Sequence, residues 1–234
     1  MSISDANKVP ANSILNTEIC IVGAGAAGIT LAHELNESRQ SVCLVESGDH
    51  NPDEDTQSLY DIDVAGYPIR ENFMSRARYF GGTCNLWAGR SMKLTEFDFE
   101  KREWIPNSGW PMAYSELQNY YGRAAEILKL PSFEGFENSI LKRSLSQAER
   151  ALFDNDALKP NISLWGVKPL RFGAAYKSRL ARSRNVTVYL NANVTEVTLN
   201  LAGTWVDEVK IATLSGNGFI LQAKVFVLAC GGME

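Results

Sequence analysis

Three glycines at the spacing Gly23-x-Gly25-x-x-Gly28, with Glu46 placed 18 residues after the last, are the residues of this sequence whose types and spacing point most directly to chemistry. Gly23 permits a tight turn, Gly25 lets backbone approach a pyrophosphate without a Cβ in the way, and Gly28 lets a helix pack closely on a strand. The N–H groups and positive dipole end of that helix then suit phosphate oxygens. Glu46 can accept hydrogen bonds from both hydroxyls of a ribose and would repel a 2′-phosphate, which disfavours NADP. Three glycines alone are a weak signal, so the elements around them decide the matter.

Those elements are present. Glu18 to Val22 (EICIV) is a β-branched apolar run of the kind found in buried parallel strands. It leads directly into the glycines. Ile29, Ala32 and Leu35 then recur at helical spacing, and Ser41 to Glu46 (SVCLVE) is a second strand that ends on the acid. This is a βαβ unit of about the usual 30 residues. Residues 1–17 read as a loose lead and 47–75 as mostly acidic loop with Pro52 and Pro68. Residues 76–90 (RARYFGGTCNLWAGR) read as a structured glycine-rich loop. Over 96–168 the pattern is that of a helical insertion. A capping box is expected at Ser115–Gln118, ahead of Leu117, Tyr121, Ala124 and Leu128, and a second at Ser146 and Glu149, ahead of Leu152. Arg171 to Arg184 is basic and helical, best read as a solvated face. After Asn185 the period becomes 2: strands are expected over 186–190, 194–199, 205–214 and 219–222, followed by an apolar run, Lys224 to Ala229, that ends at Cys230-Gly231-Gly232.

Composition narrows the classes. Of 234 residues, 45% are hydrophobic and 21% charged, as in soluble globular proteins, so disordered and low-complexity chains are excluded. The net charge of −4, with no long basic run, argues against nucleic acid as a partner. No apolar run approaches the roughly 20 residues that cross a bilayer, and Met1 to Asn16 lacks the plan of a secretory signal. Cys20, Cys43 and Cys230 lie in or beside apolar runs, as buried reduced thiols of a cytoplasmic protein would, whereas Cys84 lies in the glycine loop. No metal site is expected, because the cysteines form no CxxC pair and neither His33 nor His50 completes a set. The glycine motif leaves FAD and NAD both open. FAD is favoured by the motif's N-terminal position, by the second double glycine at 81–82, and by a strand meander returning to a third glycine turn.

These residues resemble the glucose–methanol–choline oxidoreductases. Glu18 to Glu46 resembles the first signature of that family. Phe80 to Arg90 (FGGTCNLWAGR) resembles its flavin loop, in the form seen in bacterial sugar and polyol dehydrogenases and pyranose-oxidase-like members. Asp98 to Leu128 and Val225 to Glu234 (VFVLACGGME) resemble later segments. The resemblance implies an α/β, Rossmann-like FAD-binding domain of the two-dinucleotide type, with parallel sheet, β-meander and helical insertion. The expected division is a lead at 1–17, the first part of the FAD domain at 18–95, the insertion at 96–168 and the second part at 169–234. It also implies oxidation of a CH–OH group, in a sugar, polyol or other alcohol, by hydride transfer to flavin N5, with an unspecified electron acceptor.

Carried over by position, Gly23, Gly25 and Gly28 would meet the pyrophosphate and Glu46 the adenosine ribose. Gly81, Gly82, Asn85, Ala88 and Gly89 would follow the flavin and ribityl chain. Val194 would approach the adenine, and Ala229, Cys230 and Gly231 would line the cofactor. Asn85 stands where some relatives carry a histidine bonded to FAD, so the FAD is expected to be non-covalent. The family's catalytic histidine has no counterpart, since no histidine follows His50. No catalytic residue is therefore assigned, and the C-terminal part with the substrate domain and base is expected beyond residue 234. The alternatives are a non-catalytic flavin-binding fragment and, more weakly, an NAD-dependent Rossmann enzyme.

Overall fold

The structure is a computed structural model and describes residues 2–67, 75–131, 146, 147, 149 and 163–232. Its strands are β1 (Ile3–Asp5), β2 (Ile14–Val22), β3 (Val42–Val45), β4 (Arg90–Ser91), β5 (Leu164–Trp165), β6 (Val186–Leu190), β7 (Asn193–Leu199), β8 (Val206–Ala212) and β9 (Gly218–Leu228). The helices used below are α1 (Ala26–Glu34), α2 (Glu54–Ser58), α3 (Glu96–Phe99), α4 (Tyr114–Leu128) and α5 (Phe172–Ala181). Two compact units divide the chain: Met1–Trp87 with Arg171–Glu234, and Ala88–Leu170.

The first unit is a mixed α/β, Rossmann-like fold. Its sheet runs β1-β6-β3-β2-β9-β8-β7. From β1 to β9 every pairing is parallel, and β9-β8-β7 is an antiparallel meander. The parallel strands are apolar on both faces because both are covered. Ile21, Leu44 and Val188 are register neighbours, and all are fully buried. They share the face toward α1, where a Cβ at Gly28 would lie 3.4 Å from Ile21. On the other face Cys20, Val22, Cys43 and Val45 pack with Val209, Ile211, Phe219 and Leu221 of the meander. The meander thus does the work of a covering layer.

Two local readings are revised. The N-terminal lead is ordered in part: Ile3–Asp5 pairs with β6, Ala6 is fully buried, and β2 begins at Ile14, ahead of the expected Glu18. Too few apolar residues stand in Ile3–Asp5 for a strand signal; its partner strand supplies the order. The expected strands at 219–222 and 224–229 are one strand, β9, because its register with β2 continues across Ala223.

In the second unit β4 and β5 form an antiparallel pair, and Ala125 and Leu164 are buried with Tyr121 and Leu130 around them. The capping reading at Ser115 is corrected: α4 starts two residues earlier in its capping, with Ala113 as N-cap, so Ser115 lies inside the first turn. Glu116 still serves, accepting the Ala113 N–H at 2.7 Å. The second box holds, with Glu149 accepting from the Ser146 hydroxyl at 2.7 Å and the Glu149 N–H donating back at 3.2 Å. Pro68, Leu152 and Glu234, each part of a sequence reading, lie outside the described residues.

Candidate functional site

The carboxyl ends of β2, β3 and β9 converge on one level. The Gly23 N–H donates to Val45 O at 2.8 Å, and the Ala229 N–H donates to Val22 O at 2.7 Å. A Cβ on Gly23 (φ +97°) would stand 2.7 Å from Ala229 O, so this glycine is demanded by the approach of β9's end. Beyond these ends lies a cleft of about 670 Å³, within the size range of small-molecule sites. All of its lining residues belong to the first unit.

The three motif glycines take different parts. At Gly28 a Cβ would lie 1.9 Å from Gly23 O, so Gly28 is a packing residue and does not line the cleft. At Gly25, the N-cap of α1, a Cβ would meet nothing within 4 Å, and φ is −80°, open to any residue. Gly25, Ala26 and Ala27 border the cleft at the helix N-terminus. There the first-turn N–H groups have no helical acceptor and the dipole favours an anion.

Glu46 closes one side. Only 6% exposed, it accepts the Ala24 N–H at 2.8 Å and the Gly48 N–H at 3.1 Å. Burial pushes its carboxyl up, against the pull of those two N–H groups and of Arg78. The Ser47 side chain hydrogen-bonds to it as well; a carboxylate offers about four lone-pair sites, so acceptor capacity remains for a ligand hydroxyl.

The second glycine loop lies across the first. The Gly81 N–H donates to Ala24 O at 2.9 Å, and a Cβ on Gly82 (φ +56°) would be 2.9 Å from Gly25 Cα. Gly82, Thr83 and Cys84 line the cleft. Burial pushes the Cys84 thiol up, opposed by the Ala26 N–H and the charge of Arg171. Arg171 also fixes the loop's end, donating through Nη1 to Trp87 O at 2.7 Å and to Cys84 O at 3.2 Å. Trp87 packs on Phe172, 6.5 Å between ring centres.

Of the residues singled out from sequence, Gly23, Gly25, Glu46, Gly82, Val194, Ala229, Cys230 and Gly231 line the cleft together. Gly81 and Asn85 do not. The Asn85 amide donates to Phe80 O at 3.0 Å and holds the loop's shape. Ala88 and Gly89 belong to the second unit. Cys230, grouped with the buried thiols, is only half-buried. Ser47, Tyr60, Ala77, Arg78 and Ala192 line the cleft without having been singled out. Arg76–Arg78 open the glycine-rich segment 76–90, a few residues before Gly81-Gly82, and that adjacency was the available signal. His33 sits in α1 against Tyr176 at 4.8 Å and His50 against Phe80 at 5.6 Å, and neither lines the cleft. Among the described residues no cluster of metal-ligating side chains occurs, and no helix is long and apolar enough to cross a membrane.

The family model of the FAD dependent oxidoreductases matches residues 18–233. No curated protein sequence matches the chain. Among solved structures, pyridoxine 4-oxidase from Mesorbium loti matches with a TM-score of 0.58 at 21% identity, over 92% of this chain and 50% of that one. A formate oxidase matches at 0.54 and 16% identity, over 94% and 46%. An Aspergillus oryzae formate oxidase, with a mutation studied for its effect on FAD modification, matches at 0.52 and 16%, also over 94% and 46%. These likenesses are of fold, and the chain spans about half the length of each of these structures.

Proposed function

From the premise that the chain belongs to the FAD dependent oxidoreductase family, we propose that residues 1–234 are the FAD-binding portion of an enzyme that oxidises CH–OH donors such as sugars or polyols. One observation carries the cofactor's placement: Gly25 is a glycine the protein itself does not need, since a Cβ there meets nothing, and it stands at a helix N-terminus beside the buried carboxylate of Glu46. Such a cradle fits a pyrophosphate, with a ribose at the carboxylate. In this reading Gly23, Gly25 and the first-turn N–H groups of α1 hold the phosphates and Glu46 the adenosine ribose. Gly82 and residues 229–231 border the ribityl and flavin portion. Bound FAD supplies a hydride acceptor at flavin N5. Asn85 spends its amide on Phe80 O and offers no nucleophile, which supports non-covalent FAD.

The alcohol class rests on the likeness of Phe80 to Arg90 to the glucose–methanol–choline flavin loop; the named oxidases share the fold and include more than one substrate. Loss of hydride from an alcohol requires a base for the hydroxyl proton. Neither histidine lines the cleft, so the base is proposed to come from outside residues 1–234. That same fact favours a second reading, a flavin-binding fragment without turnover.

The test is to mix the purified chain with FAD, remove free flavin by gel filtration and record the visible spectrum. Retained flavin is expected; its absence would overturn the FAD reading. Under anaerobic conditions sugars or polyols are then expected to bleach the bound flavin slowly. Bleaching by amines and by no alcohol would overturn the CH–OH assignment, and no bleaching by any donor would favour the fragment.

A further inference from the structure

The second glycine loop enters the cleft from a buried anchor, Phe80, which is 3% exposed. Separate parts of the fold meet on its backbone. The Phe80 N–H donates to Asp49 O at 2.9 Å, and the Asn85 amide donates to Phe80 O at 3.0 Å. Helix α5 lies so close that a Cβ on Gly173 would be 2.4 Å from the same oxygen. The next residue, Gly81, donates to Ala24 O, and Gly82, Thr83 and Cys84 then line the cleft. Where Phe80 sits therefore decides where this wall of the cleft stands.

The Phe80 ring has a partner that can change charge. The His50 ring meets it edge to face, 5.6 Å between centres and 89° between planes. Since Asp49 precedes His50, the turn after β3 holds both the backbone and the ring of Phe80. His50 Nδ1 is buried and has no hydrogen-bond partner among the described residues. A neutral imidazole can leave that nitrogen as a bare acceptor and keep its proton on Nε2. An imidazolium cannot, because Nδ1 then carries a charged N–H with nothing to receive it, and the ring gains by moving out to water. Burial most of all, and then the charge of Lys177 on α5, holds His50 below its ordinary value, against the pull of Asp49.

We propose that His50 is a positioning residue for the second glycine loop, acting through Phe80: the neutral ring braces the wall formed by Gly82, Thr83 and Cys84, and protonation frees Phe80 and weakens flavin binding. The inference rests on the FAD reading given above and adds to it a control by protons. Its sign follows from linkage. Flavin holds the loop in place and so favours neutral His50, which lowers the histidine's value further in the complex. Affinity is then level at neutral pH. It falls as pH drops through the His50 value of the flavin-free chain, by about tenfold for each unit by which flavin lowers that value.

The test is FAD titration of the chain, followed by flavin fluorescence, between about pH 5 and pH 8. Proton NMR of the two histidines, His33 and His50, in the free and the FAD-bound chain accompanies it. Wild type is expected to lose roughly tenfold in affinity toward the acid end. His50→Gln should bind near wild type at neutral pH and lack the share of the acid fall that His50 adds. Glu46 contributes to both profiles, so their difference is the quantity read. Lys177→Gln should move the fall to higher pH and Asp49→Asn to lower pH, opposite shifts that a loss of packing alone would not give. FAD should lower the NMR titration value of His50. If His50→Gln does not fold, the two charge variants and the NMR value decide. Coincident profiles of wild type and His50→Gln, shifts of the charge variants in one direction, or a His50 value that FAD leaves unmoved would overturn the inference and leave the flavin reading intact. A wild-type chain that binds no FAD at any pH would sink both.

Discussion

Gly25 and Gly28 belong to one short motif, yet the structure predicts opposite outcomes when each becomes alanine. At Gly25 the added methyl enters open space and the backbone, at φ −80°, accepts it without strain. The remaining cost is that of a poorer N-cap, at most about 1 kcal/mol, or a fall of about 2–4 °C in melting temperature. At Gly28 the methyl would be 1.9 Å from Gly23 O, well inside van der Waals contact. Helix α1 would have to move off β2 by more than an ångström, against a turn that β9 already pins from the other side, and a loss above about 3 kcal/mol is expected. Cofactor binding should show the reverse ranking. A methyl at Gly25 occupies the space through which an anion must come to about 2.9 Å of the helix N–H groups. Losing one such charge-assisted bond costs about 1.5–3 kcal/mol, roughly a 10- to 150-fold weaker dissociation constant. The assay is melting of the flavin-free protein together with FAD titration. Gly25→Ala should melt near wild type and bind FAD poorly, and Gly28→Ala should melt early or fail to fold. Wild-type FAD affinity in Gly25→Ala would refute the placement of the pyrophosphate. A large loss of stability there would refute the claim that the chain itself does not need this glycine.

Three further outcomes follow from the same geometry. In the native protein a thiol reagent should label Cys84 and Cys230 and spare Cys20 and Cys43, because burial pushes Cys20 up to about 12 and Cys43 well above its ordinary value; bound FAD should protect the first two, which line the cleft. For Glu46 the folded value is raised, so its contribution is fully present below the unfolded value of about 4.3 and is lost as pH rises through the folded value. The stability of wild type relative to Glu46→Gln, measured by denaturant titration, should therefore fall as pH rises from about 4 toward neutrality, and a rise would refute the assignment. Asn185 joins the end of α1 to the start of β3, donating to Leu35 O and Gln40 O at 2.9 Å each and accepting the Glu37 N–H at 2.8 Å; Asn185→Ala should cost about 2–3 kcal/mol and leave the FAD affinity of the folded protein unchanged.

The βαβ unit was readable because its code is local. Apolar runs mark β2 and β3, small residues and helical spacing mark α1, and the acid closes β3. The switch to period 2 after Asn185 likewise marked the meander. What could not be read depends on partners remote in sequence. The N-terminal strand Ile3–Asp5 exists because Val188 to Leu190 offers it an edge, and β9 is continuous because β2 holds its register throughout. At the site, Glu46 and the glycines were visible as a motif. Arg78 and Tyr60 were not, since Tyr60 comes from the loop after α2 and Arg78 from the start of the segment 76–90, and only the fold brings them together.

Gly23, Gly25, Gly28 and Gly82, in and beside the cleft, have distinct physical causes. Gly23, Gly28 and Gly82 are each required by protein: Gly23 by Ala229 and Cys230, Gly28 by Gly23, and Gly82 by Gly25. These contacts make a chain of close backbone approaches from β9, through the first turn and α1, to the second loop. That chain holds β9's end and the second loop at the mouth of the helix before any ligand arrives. Gly25 alone, in the middle of it, has space on its open side. Three of the four glycines are therefore demanded by assembly, and on the proposed FAD reading the fourth, Gly25, by ligand binding. Substituting the three would report on folding, whatever the assay, and a loss of activity from any of them would say little about the cofactor. The informative position is the one where the protein leaves room, Gly25 at the start of α1.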